Sequence, residues 1–305
     1  MKHVELDLGL VVAGHGRHYI VETPDGRRVI CRPRGKKSDC VVGDRVRWQA
    51  TVSNTGDEGV IEAIEPRRNL LFRQDEFRTK SFAANIDQIL VLVATEPVFS
   101  ESQLSRSLIA AESAGIPARV LLNKTDLPAA DAARERLAPY RAMGYEVLET
   151  SLKGRPDQAR GLLAPLLRGQ ATLVLGPSGT GKSTLINLMV PDAGAQVGEI
   201  SRSLNSGRHT TTTTQWYWLD AARASGLIDS PGFQEFGLRQ IGAAQLAAYM
   251  PDVREHAQAC RFYNCTHLHE PGCGVRAAVD AGEITDTRYR IYREIHEELT
   301  QPPRW

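Results

Sequence analysis

The sequence predicts three parts: a small β-barrel, a central α/β domain with a parallel sheet, and a mainly helical C-terminal segment. Short runs up to about residue 68 alternate apolar and polar positions, as strands of a barrel do. From about residue 86 apolar strands alternate with helical stretches, which predicts βαβ units. Helical patterning returns around a Cys/His cluster after residue 241. We therefore expect domains at 1–68, 69–240 and 241–305.

The barrel is predicted from strands that alternate and turns that interrupt them. In residues 45–50, Val46 and Trp48 alternate with arginines, and Pro24-Asp25-Gly26 is a turn signal. At 305 residues and 42% hydrophobic content, the chain can also bury cores for further domains.

The central segment is predicted to contain a sheet of six strands with helices between them. The predicted helices lie near 102–114, 129–143, before 171 and from 182. The predicted strands lie within 86–95, 118–124, 145–151, 171–176, 215–219 and 226–229.

Residues 176–183, GPSGTGKS, match the P-loop pattern between an apolar strand and an amphipathic helix. Glycines allow a tight turn whose amides point at phosphate, and the helix N-terminus adds its positive dipole. Lys182 would reach the β- and γ-phosphates, and Ser183 would bind Mg²⁺. The alternative, a glycine-rich turn that matches by chance, is disfavoured by the strand-loop-helix setting. The phosphate-binding residues are predicted to be Gly176, Pro177, Ser178, Gly179, Thr180, Gly181, Lys182, Ser183 and Thr184.

A guanine-reading motif follows the strand at 118–124. Asn123, Lys124, Thr125 and Asp126 fit N-K-x-D, in which the Asp carboxylate accepts hydrogen bonds from guanine N1–H and N2–H₂. Alone, this tetrapeptide could be a surface turn, but the P-loop makes that alternative remote. Ser151 and Leu152 resemble the S-A-K loop whose amide contacts guanine O6, although Leu152 departs from the pattern and Ser151 could instead cap a helix.

Two further segments are predicted to face the γ-phosphate and Mg²⁺. Asp229 and Gly232 fit D-x-x-G, with Asp229 supporting Mg²⁺ through water. A switch threonine should come from the stretch GRHTTTTT at 207–214; we assign Thr211, with Thr210 and Thr212 as alternatives. The threonines could also simply begin a β-strand.

The order of these motifs is unusual. In Ras-like GTPases the P-loop precedes N-K-x-D, whereas here N-K-x-D comes first and D-x-x-G last. Cutting and rejoining a chain at surface loops leaves the same side chains facing the core. The sequence therefore predicts a circularly permuted GTPase domain.

Three of the five cysteines crowd into one short segment, which favours a metal site over disulfides. The pattern Cys260-x4-Cys265-x-His267-x5-Cys273 supplies the Cys₃His set of a closed structural zinc site. His269 is the competing ligand, and buried cysteines in a small apolar core are the alternative interpretation.

These motifs together resemble the ribosome small-subunit-dependent GTPase A family, also called RsgA or YjeQ. The stretches that carry the resemblance are GPSGTGKSTLIN, NSGRHTTT, DSPGFQEFGL and CRFYNCTHLHEPGCGVRAAV. The resemblance implies an OB barrel, a permuted GTPase domain and a zinc domain with His267 as ligand. It also implies GTP hydrolysis, with Mg²⁺, stimulated by the small (30S) ribosomal subunit during late maturation.

A net charge of +1 gives no general attraction to nucleic acid, so contact with 16S rRNA would need a local cluster. Residues 27–37 carry six cations and no acid, although they could be a solvated loop face. These cations are Arg27, Arg28, Arg32, Arg34, Lys36 and Lys37. Tyr19 and Trp48 are the candidate stacking aromatics, with Trp48 more typical of a core. We therefore expect docking dominated by phosphate contacts.

Glu5 and Asp7 interrupt any secretory signal, and no run of about 18 apolar residues occurs. We expect a cytoplasmic monomer with no membrane segment. Two other functions remain possible: a binding module gated by GTP without useful turnover, and an ATP-dependent P-loop enzyme, which NKTD opposes.

The position after D-x-x-G carries the water-orienting Gln in Ras-like enzymes, but here it is Phe233. Intrinsic hydrolysis should therefore be slow. His209, beside the switch threonines, is the candidate catalytic residue, because an imidazole can orient water. It could alternatively pack or be solvated in the loop.

Overall fold

A computed structural model describes residues 6–35, 39–51, 58–74, 79–193, 213–233 and 236–302. Within these residues the N-terminal barrel has five strands: β1 (Asp7–His15), β2 (His18–Glu22), β3 (Arg28–Pro33), β4 (Arg45–Ala50) and β5 (Glu58–Ile64). They pair in the order β1-β2-β3-β5-β4, and β4 returns to β1 to close the barrel. Val11, Val29, Val46 and Trp48 fill its interior. The predicted barrel is confirmed, with the last strand ending four residues before the predicted boundary.

A two-stranded hairpin follows the barrel and was not anticipated from the sequence. It consists of β6 (Leu70–Gln74) and β7 (Thr79–Ala84), which pair with each other, and Gln74 also forms an isolated parallel bridge with Leu238. Its Phe82 ring stacks on Phe236, with centroids 5.7 Å apart. The hairpin therefore packs against a segment more than 150 residues later in the chain.

The central domain contains the six predicted strands. They are β8 (Gln88–Ala94), β9 (Ala118–Asn123), β10 (Val147–Glu149), β11 (Ala171–Leu175), β12 (Gln215–Trp218) and β13 (Gly226–Asp229). The order is β10-β9-β8-β11-β13-β12, with five parallel strands and β12 antiparallel at the end. Every residue of β8 is buried, as expected for a strand covered on both faces. Around the sheet lie α1 (Glu101–Ser113), α2 (Ala130–Ala142), α3 (Pro156–Leu167) and α4 (Lys182–Met189).

The C-terminal segment contains a 3-10 helix (Ala243–Tyr249), α5 (Pro251–Ala257), α6 (Gly274–Asp280) and α7 (Asp286–Thr300). Its apolar residues belong to the same buried cluster as Leu104 and Leu108 of α1. Arg288, 4% exposed, links the two domains: it donates to Asp252 at 2.7 Å and to Ser105 Oγ at 2.6 Å. The core that the segment needs is therefore shared with the central domain. Of the helices described, none has the length and apolar character needed to cross a bilayer.

Candidate functional site

The P-loop connects the carboxyl end of β11 to the N-terminus of α4, as the motif requires. Gly176 lies so close to β8 that a Cβ there would come 2.3 Å from the Leu92 carbonyl oxygen. Gly181 has φ +110°, and a Cβ would come 2.4 Å from Asn123 Nδ2. Both positions exclude a side chain, because the loop backbone packs directly against its neighbours.

Lys182 is buried at the start of α4, and its ammonium group lies across the loop. Its Nζ donates to the carbonyl oxygens of Gly176 and Pro177, at 2.7 and 2.8 Å. Burial lowers the pKa of Lys182, and the nearby Asp229 carboxylate opposes that shift. A Cβ on Gly232 would lie 3.2 Å from this Nζ, so the D-x-x-G segment reaches the P-loop.

Asn123, the last residue of β9, ties three loops together. Its Nδ2 donates to Thr180 O in the P-loop at 2.8 Å. Its Oδ1 accepts from the Leu152 backbone amide at 3.0 Å. The Leu152 amide is therefore already engaged, and the Leu152 side chain is buried beneath the loops. These bonds place the N-K-x-D loop beside the phosphate loop.

Asp126 lies at the outer edge of this group and is oriented by Ser151. Ser151 Oγ donates to Asp126 Oδ1 at 2.5 Å and accepts from the Gly154 amide at 3.1 Å. The hydrogen bond from Ser151 is the main cause that lowers the pKa of Asp126, so the carboxylate stays ionised. Sequence reasoning missed Gly154, where a Cβ would come 2.6 Å from Ser151 Oγ. A single loop glycine gives no signal of its own.

A second segment at this site was also missed from the sequence. Lys124, with φ +65°, donates through Nζ to the carbonyl oxygen of Glu96. Pro97 lies beside Gly179, where a Cβ would be 3.6 Å from Pro97 Cδ. The loop after β8, which contains Glu96 and Pro97, therefore forms one wall between the guanine and phosphate motifs. Elsewhere in the site, Thr125 Oγ1 donates to Thr150 O at 3.1 Å, which connects the N-K-x-D and Ser151 loops.

The candidate switch residues His209 and Thr211 lie outside the described residues, as do Thr210 and Thr212. Phe233, which replaces the usual glutamine, is 4% exposed and packs against Phe236 with ring centroids 5.1 Å apart. Its side chain is therefore held in the apolar core rather than presented to water.

A cluster of potential metal ligands lies between α5 and α6. The ligand atoms of Cys260, Cys265, His267 and Cys273 all lie within 4.8 Å of one another. The Cys260 and Cys273 sulfurs are 3.4 and 3.6 Å from His267 Nδ1. His269 is exposed and outside this group. Three thiols and an imidazole around one point form a donor set that suits a tetrahedral divalent ion.

The surrounding groups hold the cluster in place. The carboxylate of Glu270 accepts from the Thr266 amide and hydroxyl at 2.8 and 2.6 Å. Burial alone would raise the pKa of Glu270, but hydrogen bonds, first those from Thr266, hold it well below its usual range. Tyr289 OH donates to His267 O at 2.8 Å, and the Gly274 amide points at Cys260 Sγ at 3.3 Å. Such outer contacts fix ligand orientation.

The cationic run on the barrel is partly neutralised. Arg28 Nε pairs with Glu22 at 2.8 Å and Arg34 with Glu62 at 2.5 Å, while Arg27 and Arg32 are exposed. Lys36 and Lys37 lie outside the described residues. Tyr19 and Trp48 are 8% and 1% exposed, so both belong to the barrel core and neither offers a face for base stacking.

A family model described as RsgA GTPase matches residues 64–239, more than half of the chain. The chain belongs to the RsgA GTPase family. It is therefore a GTP-hydrolysing enzyme, and the resemblance inferred from the motifs is confirmed. A relative from Variovorax paradoxus (strain S110), named small ribosomal subunit biogenesis GTPase RsgA, is 62% identical over 96% of this chain and 92% of its own length. One of the same name from Burkholderia pseudomallei (strain K96243) is 55% identical over the same shares.

Solved structures agree with the RsgA assignment. YloQ, titled a circularly permuted GTPase, is 27% identical, with a TM-score of 0.70 over 100% of this chain and 99% of its own. YjeQ from Thermotoga maritima is 30% identical, with a TM-score of 0.72 over 98% of this chain and all of its own. The predicted fold class, including the circular permutation, is confirmed.

Proposed function

We propose that this protein is a GTPase that binds the small (30S) ribosomal subunit and acts in its late maturation. In this proposal it hydrolyses GTP to GDP and phosphate, and the subunit stimulates the reaction. The observation that best supports GTP binding and hydrolysis is that Asn123 joins the P-loop to the Ser151 loop, so that the residues for base and phosphate recognition lie side by side. The names of the relatives support the proposed role in small-subunit maturation.

At the guanine end, the ionised Asp126, which Ser151 holds in place, would accept hydrogen bonds from the N1–H and N2–H₂ groups of the base. The Lys124 stem would lie along the ring. Because Asn123 engages the Leu152 amide, the contact to guanine O6 falls to a neighbouring amide of the same loop. Adenine lacks the paired donors, which disfavours an ATP-dependent enzyme.

At the phosphate end, the amides of residues 176–181 and the ammonium of Lys182 would hold the phosphates. Lys182 would exchange its bonds to the loop carbonyls for bonds to phosphate oxygens. Ser183 and Thr211 are the proposed Mg²⁺ ligands, with Asp229 acting through water. Bound with GTP, Mg²⁺ would neutralise charge between the β- and γ-phosphates. Gly232, beside Lys182, would sense the γ-phosphate.

The C-terminal cluster is proposed to hold one structural Zn²⁺. Cys260, Cys265, His267 and Cys273 complete a tetrahedral set and leave no position for substrate. Amides directed at the sulfurs of Cys260 and Cys273 favour the thiolate form that zinc requires.

His209 is proposed to orient the attacking water once the subunit is bound, because Phe233 is buried and cannot do so. We expect His209→Ala to reduce subunit-stimulated turnover about 100-fold while GTP affinity stays within about twofold. Single-turnover hydrolysis under saturating 30S subunits measures this. Full stimulation of the variant would remove His209 from the mechanism.

The barrel is proposed to contact 16S rRNA through phosphates, since its candidate aromatics are buried. Replacing Arg32, Arg34, Lys36 and Lys37 by Ala should flatten the dependence of log affinity on log salt by about 0.7 to 0.9 per lost contact. Arg160→Ala, an exposed arginine on α3, is the control. An unchanged slope in the quadruple variant would make the run ordinary surface.

The proposed site of action is the cytoplasm, where the protein would work as a monomer.

Co-sedimentation with purified 30S subunits, in the presence of GDP or of a non-hydrolysable GTP analogue, tests the proposed partner. We expect pelleting with 30S and not with 50S subunits. Equal pelleting with both would contradict the proposal.

A further inference from the structure

The barrel and the central domain meet at a buried carboxylate. Glu22, the last residue of β2, is 5% exposed. Its Oε1 accepts from Trp218 Nε1 of β12 at 2.6 Å, and its Oε2 accepts from Arg28 Nε of β3 at 2.8 Å. One carboxylate therefore connects two barrel strands to the end strand of the central sheet. Breaking such a buried contact is costly, since it leaves charged or polar groups without partners.

Two more contacts lie beside this carboxylate. Arg223, in the turn between β12 and β13, places its Nε 3.6 Å from Glu22 Oε1. Its guanidinium covers Gly26, where a Cβ would come 1.7 Å from Arg223 Nη2. In addition, Gln215 of β12 pairs with Ala13 of β1. The β12–β13 hairpin is thus held to the barrel at its turn and along its outer edge.

The opposite end of this hairpin reaches the nucleotide site. Gln215, the first residue of β12, pairs with Asp229, the last residue of β13. Gln215 directly follows the threonine stretch, and Asp229 begins the D-x-x-G motif. Trp218 is only three residues from Gln215, about 10 Å along a strand. Both segments that should face the γ-phosphate are therefore attached to a short hairpin whose other end rests on Glu22.

We propose that Glu22 is a positioning residue for the nucleotide site, acting through Trp218 on the β12–β13 hairpin. This inference rests on the proposed GTP site. The barrel sets where Asp229 and the D-x-x-G motif lie, so this joint between Glu22 and Trp218 affects triphosphate binding and leaves diphosphate binding unaltered. GDP is held by the P-loop and the guanine loops, which are on other strands. By linkage, a partner that displaces the barrel changes the preference for GTP over GDP, and the nucleotide changes affinity for that partner equally.

Trp218→Phe tests the inference, because it removes the N–H donor to Glu22 while Arg28 keeps the carboxylate paired. We expect the affinity for an Mg²⁺-bound, non-hydrolysable GTP analogue to fall at least about fivefold, with GDP affinity within about twofold. Trp216→Phe is the matched control on the same strand, since Trp216 Nε1 makes no hydrogen bond within the described residues. The control should leave the ratio of the two affinities unchanged.

Arg223→Ala provides a second variant at the same joint, in case loss of the indole disturbs folding. It should shift the ratio in the same direction, with a melting temperature close to that of the parent. An unchanged ratio in both folded variants would overturn the inference, as would an equal change in Trp216→Phe. If the parent chain binds neither nucleotide, the proposed GTP site fails and this inference falls with it.

Discussion

Asp126→Asn should weaken GTP binding strongly and improve binding of xanthine nucleotides. Guanine offers N1–H and N2–H₂ to the ionised carboxylate, whereas an asparagine amide presents a donor to one of them. Each mismatched contact costs about 1 to 3 kcal/mol, and about 1.4 kcal/mol corresponds to tenfold in affinity. We therefore expect at least about a tenfold loss for GTP and a gain for XTP, both measured by equilibrium titration.

Ser151→Ala is the control for this substitution, because it removes the hydrogen bond that orients Asp126 but keeps the carboxylate. It should weaken GTP moderately without any gain for XTP. Binding of GTP to Asp126→Asn with parental affinity would show that Asp126 does not recognise the base.

Cys260→Ser should abolish zinc binding. Cys260 Sγ lies 3.4 Å from His267 Nδ1 and 3.9 Å from Cys273 Sγ, so its loss opens one side of the tetrahedron. We expect elemental analysis to give about one zinc per parent chain and close to none per variant. His269→Ala should retain the metal, since His269 is exposed outside the cluster.

The structural consequence of zinc loss should be local. Ile291, Tyr292 and Ile295 of α7 pack in the same core as Leu104 of α1, which does not depend on a metal. Chelation should therefore raise hydrogen exchange across residues 258–273 and much less across α7. From its sequence alone, the C-terminal segment is too short to hold a large core, which predicts that it unfolds entirely without zinc; the core shared with α1 changes that expectation. Undiminished zinc in Cys260→Ser would contradict the assigned ligands.

Much of the fold was predictable because its signals are local. The strand-loop-helix around GPSGTGKS, the apolar strands β8 and β9, and the Cys/His spacing each occupy a few consecutive residues. The motif order then identified the permutation without any knowledge of contacts. The six strands of the central sheet were found for the same reason, since apolar strands alternating with helices are characteristic of α/β domains.

The features that could not be predicted depend on contacts between residues that are far apart in the sequence. The β6–β7 hairpin is anchored to the rest of the fold by Phe82, which stacks on Phe236, and no pattern in residues 70–84 reveals that contact. Gly154 matters only because Asp126 and Ser151 lie beside it. Glu22 is on a barrel strand of ordinary composition, and its importance comes from Trp218, 196 positions away. Such pairs are fixed by tertiary packing rather than by local propensity.

This permuted site is proposed to hydrolyse GTP in response to the small ribosomal subunit. The most direct measurement is steady-state GTP turnover by the purified chain with increasing 30S subunits, with 50S subunits and excess ATP as controls. We expect slow turnover without subunits and a saturable increase with 30S subunits but not with 50S subunits, unaffected by ATP. Turnover that does not respond to 30S subunits would contradict this proposal, and would leave a nucleotide-binding protein in which hydrolysis is incidental.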